Sequence, residues 1–253
     1  MKQALVMISF GTSVPEARGS IAAVERVLEE AACGYTAVRA FTSPTIRRIL
    51  AGRGEDVPSL TGALEQLCQA GARRVAVQPT HLLYGYEYDK LKAEAEAFSD
   101  RFEQLAVGRP LLAGSRDILR FAEQLAAARP WQAGTAVVCM GHGTEHFANA
   151  AYPALQTALR LSGREDILIG TVEGWPGLED VLRQLRAPCA VQLLPLMLVA
   201  GDHARNDMSV AWKGALERAG HRVRCGFTGL GELAWVQDMY REKVLETLEQ
   251  AGQ

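Results

Sequence analysis

The chain has 253 residues, of which 48% are hydrophobic, so it is long enough for one large or two ordinary domains with a buried core. Its formal net charge of −2 and its pI near 6.2 give no reason to expect a nucleic-acid partner. The five cysteines are widely spaced without a C-x-x-C pair, which argues against a disulfide framework, and no apolar run approaches the ~20 residues of a membrane span.

The first half of the chain alternates between predicted strands and helices. The apolar run at 3–10 is too short for a signal peptide and is followed by Gly11, so we interpret it as the first strand of a cytoplasmic protein. Further strands are predicted at 35–41, 74–83 and 107–112, and helices at 15–30, 46–50, 60–70, from 90 and at 118–128. The stretch Ala128-Arg129-Pro130 marks the expected boundary between two halves.

The second half repeats this alternation. Strands are predicted near 135–141, 166–172, 188–199 and 222–227, and helices near 146–161, 177–186, 207–219 and 233–250. Strands and helices that alternate with short turns form parallel βαβ units. The sequence therefore predicts an α/β protein with two doubly wound lobes, residues 1–128 and 129–232.

Short motifs at the strand ends of the two halves match each other. Phe10-Gly11-Thr12 matches His142-Gly143-Thr144, and Phe41-Thr42-Ser43-Pro44 matches Glu173-Gly174-Trp175-Pro176 at the same spacing. A third match, at a different spacing, places Pro79, Gly85 and Glu87 on Pro195, Gly201 and His203. These matches predict a pseudo-two-fold relation with a cleft between the lobes.

Three polar residues of the second half follow predicted strands directly. They are His142, Glu173 and His203, the last after the apolar run that ends at Gly201. Ligands of α/β sheets bind at the carboxyl ends of the strands, so we expect the three side chains to meet in one metal site. Two imidazoles and a carboxylate with an open position suit divalent Zn, Co, Fe or Ni and do not choose among them.

The first half contributes a different wall, made of Phe10, Phe41 and the carboxylate of Glu87. A metal site that faces a mostly apolar wall fits the insertion of a metal into a flat, hydrophobic ligand. If that ligand is a tetrapyrrole, two pyrrole protons must leave, and imidazole accepts protons near neutral pH.

Other interpretations compete for each of these residues. His203 could cap the helix near Asp207, and the glycines around His142 suit a phosphate-binding turn. Glu173 and Glu87 could be first-turn acids that favour a helix dipole.

The remaining histidines carry no predicted function. We interpret His81 as a core or rim histidine, His146 as a first-turn residue and His221 as exposed. His142 to His146 spells the H-x-x-E-H motif of inverted zinc proteases. We reject that interpretation because the motif follows a strand and its glycines disfavour helix.

Several motifs at these strand ends resemble those of a known family. They are Ser9-Phe10-Gly11-Thr12-Ser13, Arg39-Ala40-Phe41-Thr42-Ser43, Gly85-Tyr86-Glu87-Tyr88, Met140-Gly141-His142-Gly143, Val172-Glu173 and Leu194-Pro195-Leu196-Met197-Leu198-Val199-Ala200-Gly201-Asp202-His203-Ala204. They resemble the motifs of the class II tetrapyrrole chelatases, above all the cobalt-inserting members of anaerobic cobalamin biosynthesis, and the resemblance covers nearly the whole chain.

The resemblance implies a bilobal, chelatase-like and flavodoxin-like fold in which the C-terminal helix, about 233–253, packs on the first lobe. It implies that His142, Glu173 and His203 bind Co²⁺ as the substrate metal, and that His142 and Glu87 are the catalytic residues. His142 would take the pyrrole protons, and Glu87 would face the macrocycle from the opposite lobe. The implied reaction is the insertion of Co²⁺ into sirohydrochlorin, with Fe²⁺, Ni²⁺ or Zn²⁺ as substitutes. No P-loop is present, so no nucleotide cofactor is expected.

Substrate binding is expected to involve the first lobe. Phe10, Tyr84 and Glu87 are predicted to contact the macrocycle, and the turn Gly11-Thr12-Ser13 to bind its carboxylates through backbone amides and hydroxyls at a helix start. Two alternatives remain open: a chelatase that inserts iron into sirohydrochlorin or a porphyrin, and a tetrapyrrole or metal carrier without turnover. An oligomer is compatible with the sequence, and neither nucleic acid nor a membrane is an expected partner.

Overall fold

The computed structural model describes residues 2–128, 134–185, 187–201 and 204–252. They form two compact units, Met1–Leu111 with Gly231–Gln253, and Leu112–Leu230. Each unit is built on a four-stranded parallel sheet with packed helices, which confirms the predicted α/β class of two doubly wound units. No helix in the described ranges is long and apolar enough to cross a bilayer.

The first sheet has the strand order β2-β1-β3-β4, and all neighbouring strands are parallel. Its strands are β1 (Gln3–Ser9), β2 (Thr36–Phe41), β3 (Arg74–Pro79) and β4 (Gln104–Val107). Successive side chains of β1 point to opposite faces, and Val6 and Ile8 on one face are as fully buried as Leu5 on the other. Burial of both faces explains why β1 is a continuous apolar run.

Among the described residues, five α-helices belong to the first unit: α1 (Arg18–Ala31), α2 (Pro44–Ala51), α3 (Leu60–Gln69), α4 (Tyr86–Glu96) and α9 (Ala234–Gly252). Leu64 of α3 and Leu91 of α4 pack with Val6 and Ile8 in one hydrophobic cluster. α9 packs on α1, β3 and β4. The first unit therefore combines the early part of the chain with its last helix.

The second sheet has the order β6-β5-β7-β8 and is also parallel throughout. Its strands are β5 (Thr135–Gly141), β6 (Ile167–Thr171), β7 (Ala190–Pro195) and β8 (Arg222–Cys225). Its helices are α5 (Ser115–Ala127), α6 (Ala151–Leu161), α7 (Leu178–Gln184) and α8 (Lys213–Arg218), and α8 continues a π-helical segment, Ala204–Trp212. Val138 and Met140 of β5 pack against Trp212 and Leu216 in its core.

Two boundaries differ from those expected. The contacts divide the chain after Leu111, and α5 packs on α6, so α5 belongs to the second unit. Strand β4 lies at Gln104–Val107 instead of 107–112, because this earlier stretch is the one that pairs with β3. Leu111 and Leu112 are buried without joining the sheet, which explains why their apolar character suggested a strand.

In each sheet the second and third strands in sequence lie on opposite sides of the first, so the order in which strands are added reverses between β1 and β3, and between β5 and β7. In doubly wound sheets the carboxyl edge at such a reversal is where ligands bind. Phe10 follows β1 and His142 follows β5 at these edges.

Candidate metal site

His142 lies directly after β5, between two glycines that the surrounding packing requires. A Cβ on Gly141 would lie 2.4 Å from the ring of Tyr152. Gly143 has φ of +80°, and a Cβ there would lie 2.7 Å from the backbone nitrogen of Gly174. Only glycine fits at both positions, so the chain approaches its neighbours closely on either side of the imidazole.

The backbone fixes the tautomer of His142. Its Nδ1 atom lies 2.9 Å from the carbonyl oxygen of Gly143. Because a carbonyl only accepts hydrogen bonds, Nδ1 carries the proton in this contact, and the lone pair of the neutral ring is on Nε2. Such a contact to a backbone carbonyl is the usual support of a metal-binding histidine.

Glu173 lies in the loop after β6, and this loop is bonded to the His142 backbone. The amide nitrogens of Val172 and Glu173 both donate to the carbonyl oxygen of His142, at 3.1 and 2.7 Å. One carboxylate oxygen of Glu173 lies 3.8 Å from Nδ1 of His142. The two side chains are 44% and 60% exposed, so both are accessible to an incoming ion.

His203, the third predicted ligand, lies outside the described residues. β7 ends beside β5, where the amide of Leu196 donates to the carbonyl of Met140 at 2.7 Å, so the loop after β7 starts at the same sheet edge as His142. Over the described ranges, which omit 202–203, no group of three or more His, Cys, Asp or Glu could hold a metal ion. The structure thus brings two of the three predicted ligands together.

The predicted substrate residues after β1 form a tight turn. Phe10 is 51% exposed at the sheet edge. Gly11 has φ of +94°, and a Cβ there would lie 2.7 Å from the ring of Phe41. The hydroxyl of Thr12 is turned inward and accepts a hydrogen bond from the amide of Val14 at 3.2 Å, while the carbonyl of Ser13 accepts one from Arg53 at 2.7 Å. The Thr12 hydroxyl and the Ser13 carbonyl of this turn are therefore already engaged in hydrogen bonds within the protein.

Glu87 lies in the first turn of α4 and is partly buried. Two tyrosines beside it have different environments. Tyr84 packs edge-to-face on Tyr88, with ring centroids 4.7 Å apart, on the rim of the first core. Tyr86 is 62% exposed and presents the larger accessible aromatic surface of this segment.

His81 is a partly buried histidine whose environment the sequence does not reveal. Both of its ring nitrogens are shielded from solvent and lack a hydrogen-bond partner among the described residues. Burial lowers the pKa of His81 to about 4, and the negative charge of Glu87 opposes part of this shift. His81 is therefore a neutral imidazole near the carboxylate of Glu87, which is predicted to contact the substrate.

Two other histidines have structural roles. Nδ1 of His146 accepts a hydrogen bond from the amide of Ala148 at 3.0 Å and caps the short 3-10 turn Phe147–Ala150. Residues 142–146 form a loop and not a helix, which agrees with rejecting the zinc-protease motif. The expectation that His221 is exposed is wrong: it is 6% exposed, and its Nδ1 accepts a hydrogen bond from the amide of Cys189 at 3.3 Å.

The chain is similar to known chelatases over nearly its whole length. A family model described as cobalt chelatase (CbiK) matches residues 3–249. A sirohydrochlorin cobaltochelatase of Salmonella typhimurium is 36% identical over 263 aligned positions, covering 99% of this chain and 98% of that protein. A second one, sirohydrochlorin cobaltochelatase CbiKC of Nitratidesulfovibrio vulgaris, is 34% identical and covers 94% of this chain and 88% of that protein.

Comparison with solved structures agrees on the fold. The chain superposes on SirB from Bacillus subtilis, solved with Fe³⁺, with a TM-score of 0.69 over 98% of this chain and 96% of that one. The two sequences are 16% identical, so this likeness supports the architecture alone.

Proposed function

Since the chain belongs to the cobalt chelatase (CbiK) family, and is thereby a metal chelatase, we propose that it inserts Co²⁺ into sirohydrochlorin. The observation that carries this proposal is the proximity of His142 and Glu173 at the ligand-binding edge of the second sheet. A carboxylate oxygen of Glu173 lies 3.8 Å from Nδ1 of His142. A chelatase needs a metal-binding group and a base side by side, and this pair supplies both.

In the proposed reaction Co²⁺ enters the macrocycle as two pyrrole N–H protons leave. The Nε2 lone pair of His142 binds the incoming ion and, once the ion has passed to the ring nitrogens, accepts one pyrrole proton, while its Nδ1 proton stays hydrogen-bonded to Gly143. The second pyrrole proton passes to the carboxylate of Glu87. The carboxylate of Glu173 adds a negative oxygen ligand beside it, and His203 is proposed as the third ligand.

The first unit is proposed to bind the macrocycle. Phe10 and Tyr84 contribute aromatic surface, and Glu87 contributes a carboxylate that faces the pyrrole nitrogens. The turn at 11–13 is proposed to receive the peripheral carboxylates through its backbone amides. No step of this scheme consumes a nucleotide, because desolvation of the ion and loss of two protons are driven by the new metal–nitrogen bonds.

Metal choice is expected to be broad in the purified protein. Imidazole and carboxylate ligands bind Co²⁺, Ni²⁺, Fe²⁺ and Zn²⁺ in the general divalent order, so supply of the ion contributes to selection. We propose Co²⁺ as the substrate metal because both relatives are named as cobaltochelatases.

The first prediction is that the wild-type protein inserts Co²⁺ into sirohydrochlorin without nucleotide, and that His142→Ala lowers the turnover number by at least about 100-fold while the macrocycle still binds. The absorbance change of sirohydrochlorin measures insertion, with Co²⁺, Fe²⁺ and Ni²⁺ supplied in turn. The matched control is His146→Asn in the same loop, which keeps a capping acceptor and should keep activity.

Three results would contradict the proposal. Turnover with Fe²⁺ that greatly exceeds turnover with Co²⁺ would indicate an iron chelatase. Tight macrocycle binding by the wild type without insertion of any ion would indicate a carrier. Full activity of His142→Ala would exclude the proposed base.

A further inference from the structure

The loops that carry His142 and Glu173 touch each other through their backbones. Beyond the hydrogen bonds from Val172 and Glu173 to His142, Gly143 packs so closely on the backbone nitrogen of Gly174 that a Cβ on Gly143 would clash with it. These contacts set the two loops side by side, but they involve backbone that glycine leaves conformationally free. The separation of the two ligands therefore needs a further constraint.

Asn149 supplies a side-chain link between the same two loops. It lies in the 3-10 turn Phe147–Ala150 and is partly buried. Its Oδ1 atom accepts a hydrogen bond from the amide of Thr144 at 3.1 Å, and its Nδ2 atom donates to the carbonyl oxygen of Trp175 at 2.5 Å. Thr144 is two residues after His142, and Trp175 is two residues after Glu173.

We propose that Asn149 is a positioning residue of the metal site, which fixes the separation of His142 and Glu173 by tying their loops together. This inference rests on the proposed function, because it takes both residues as metal ligands. An amide suits the task because it carries one acceptor and one donor on a short side chain, and the two loop groups are a donor and an acceptor.

The packing around Asn149 makes the link rigid. A Cβ on Gly174 would lie 2.3 Å from Oδ1 of Asn149, so the side chain fills the space over that glycine. The amide of Asn149 donates to the carbonyl of His146 at 2.9 Å, and His146 in turn caps the same turn. Asn149 is thus held at its backbone as well as at both ends of its amide.

The second prediction tests this role with Co²⁺ alone as the probe. Asn149→Leu keeps the branched shape of the side chain and removes both hydrogen bonds, and Asn149→Ala removes the side chain beyond Cβ. We expect each to weaken Co²⁺ binding by the substrate-free full-length protein about 10- to 100-fold, the usual effect of losing a residue that orients metal ligands. We also expect the visible absorption bands of the bound ion to change shape, since the ligand geometry changes.

The matched control is Gln156→Leu. Gln156 also uses one amide to bridge backbone groups, from α6 to Ile167 and Ile169 of β6, at 2.9 and 2.7 Å. Its loss should lower the melting temperature without changing Co²⁺ affinity more than about twofold. If Gln156→Leu weakens Co²⁺ binding as much as Asn149→Leu, general destabilisation explains the effect and the inference is wrong.

The experiment also separates this inference from the proposed function. His142→Ala should abolish the Co²⁺ bands. If His142→Ala binds Co²⁺ like the wild type, the proposed metal site itself fails. If His142→Ala loses Co²⁺ while Asn149→Leu and Asn149→Ala retain wild-type affinity and spectrum, the metal site stands and only the positioning role of Asn149 is refuted.

Discussion

Glycine is required on the two sides of His142 for different physical reasons. At Gly141 the constraint is space, because the ring of Tyr152 occupies the position of a Cβ. At Gly143 the constraint is both the backbone, with φ of +80°, and contact with Gly174 and Thr171. The imidazole is therefore flanked by two glycines whose Cα atoms are closely packed against neighbouring groups.

The third prediction is that Gly143→Ala destabilises the protein more than Gly163→Ala. Both glycines have φ of +80°, so both alanines carry the same backbone strain of about 1 kcal/mol. A Cβ at Gly163 has nothing within 4 Å, whereas one at Gly143 meets backbone at 2.7 Å, so Gly143→Ala should cost at least about 1 kcal/mol more. Urea denaturation measures the difference, and equal losses would show that the loop adjusts freely.

The fourth prediction concerns His81, a partly buried residue whose ring nitrogens are shielded from solvent. Because its pKa falls from 6.5 to about 4 in the folded protein, the unfolded chain binds the proton first as the pH falls. The contribution of the neutral ring is complete above pH 6.5 and is lost between pH 6.5 and about 4, which amounts to about 2 kcal/mol between pH 7 and pH 5.

His81→Leu removes this titration. The free energy of unfolding, measured by urea denaturation at several pH values, should therefore fall less steeply below pH 6.5 in His81→Leu than in the wild type. Parallel curves for the two proteins would mean that His81 is not held neutral by the fold.

For single residues, the sequence predicts which side chains lie at strand ends better than it predicts which groups each side chain contacts. His142 and Glu173 are adjacent as expected, because parallel strands bring their carboxyl ends to one edge. Asn149 and His81 carry no sequence signal, since their importance lies in the groups that surround them. The sequence match of Phe41 to Glu173 is also misleading: Phe41 is the last residue of β2, whereas β6 ends at Thr171 and Glu173 lies in the loop.

Among the elements, α9 is the helix that is farthest in sequence from the strands on which it packs, β3 and β4. Its buried residues recur every three or four positions, as expected of a helix with one buried face: Val236, Met239, Tyr240, Lys243, Val244, Thr247 and Ala251. Polar side chains on this face bond to β3 and the residue after it. Tyr240 donates to the carbonyl of Thr80, and Thr247 donates to the side chain of Gln78, both at 2.7 Å.

The fifth prediction is that Tyr240→Phe lowers the free energy of unfolding by about 1–2 kcal/mol. Tyr240 is fully buried, and without its hydroxyl the carbonyl of Thr80 loses a hydrogen bond in the core. Tyr86→Phe, at a position that is 62% exposed, is the control and should change stability by less than about 0.5 kcal/mol. Chemical denaturation of the three proteins measures both effects, and similar values for the two variants would contradict this account of α9.

Element boundaries are predicted less well than element types, for reasons seen in β4 and β7. Leu111 and Leu112 are apolar because they are buried in a loop, and burial alone does not distinguish a loop from a strand. In the same way β7 ends at Pro195, although the apolar run continues to Ala200. Each strand ends where its hydrogen-bond pairing with the neighbouring strand ends. A single sequence does not reveal which residues pair.

For the whole molecule, the sequence predicts two α/β units because alternating strands and helices admit few other arrangements. It does not predict where the chain divides. Ala128-Arg129-Pro130 has the composition of a linker, yet the contacts divide the chain after Leu111, because α5 buries Phe121 and Leu125 within the second unit. Composition identifies a turn, whereas the division of units depends on which surfaces a helix covers.

The first unit is formed from two separate stretches of the chain, and this affects how it folds during synthesis. The ribosome completes β1 to β4 early, but α9 emerges only after all of Leu112–Leu230 has been translated. At ordinary elongation rates that interval is about 10 s. During it the apolar groove that α9 will fill stays open, so we expect the nascent chain to be a client of ribosome-associated chaperones until its last helix arrives.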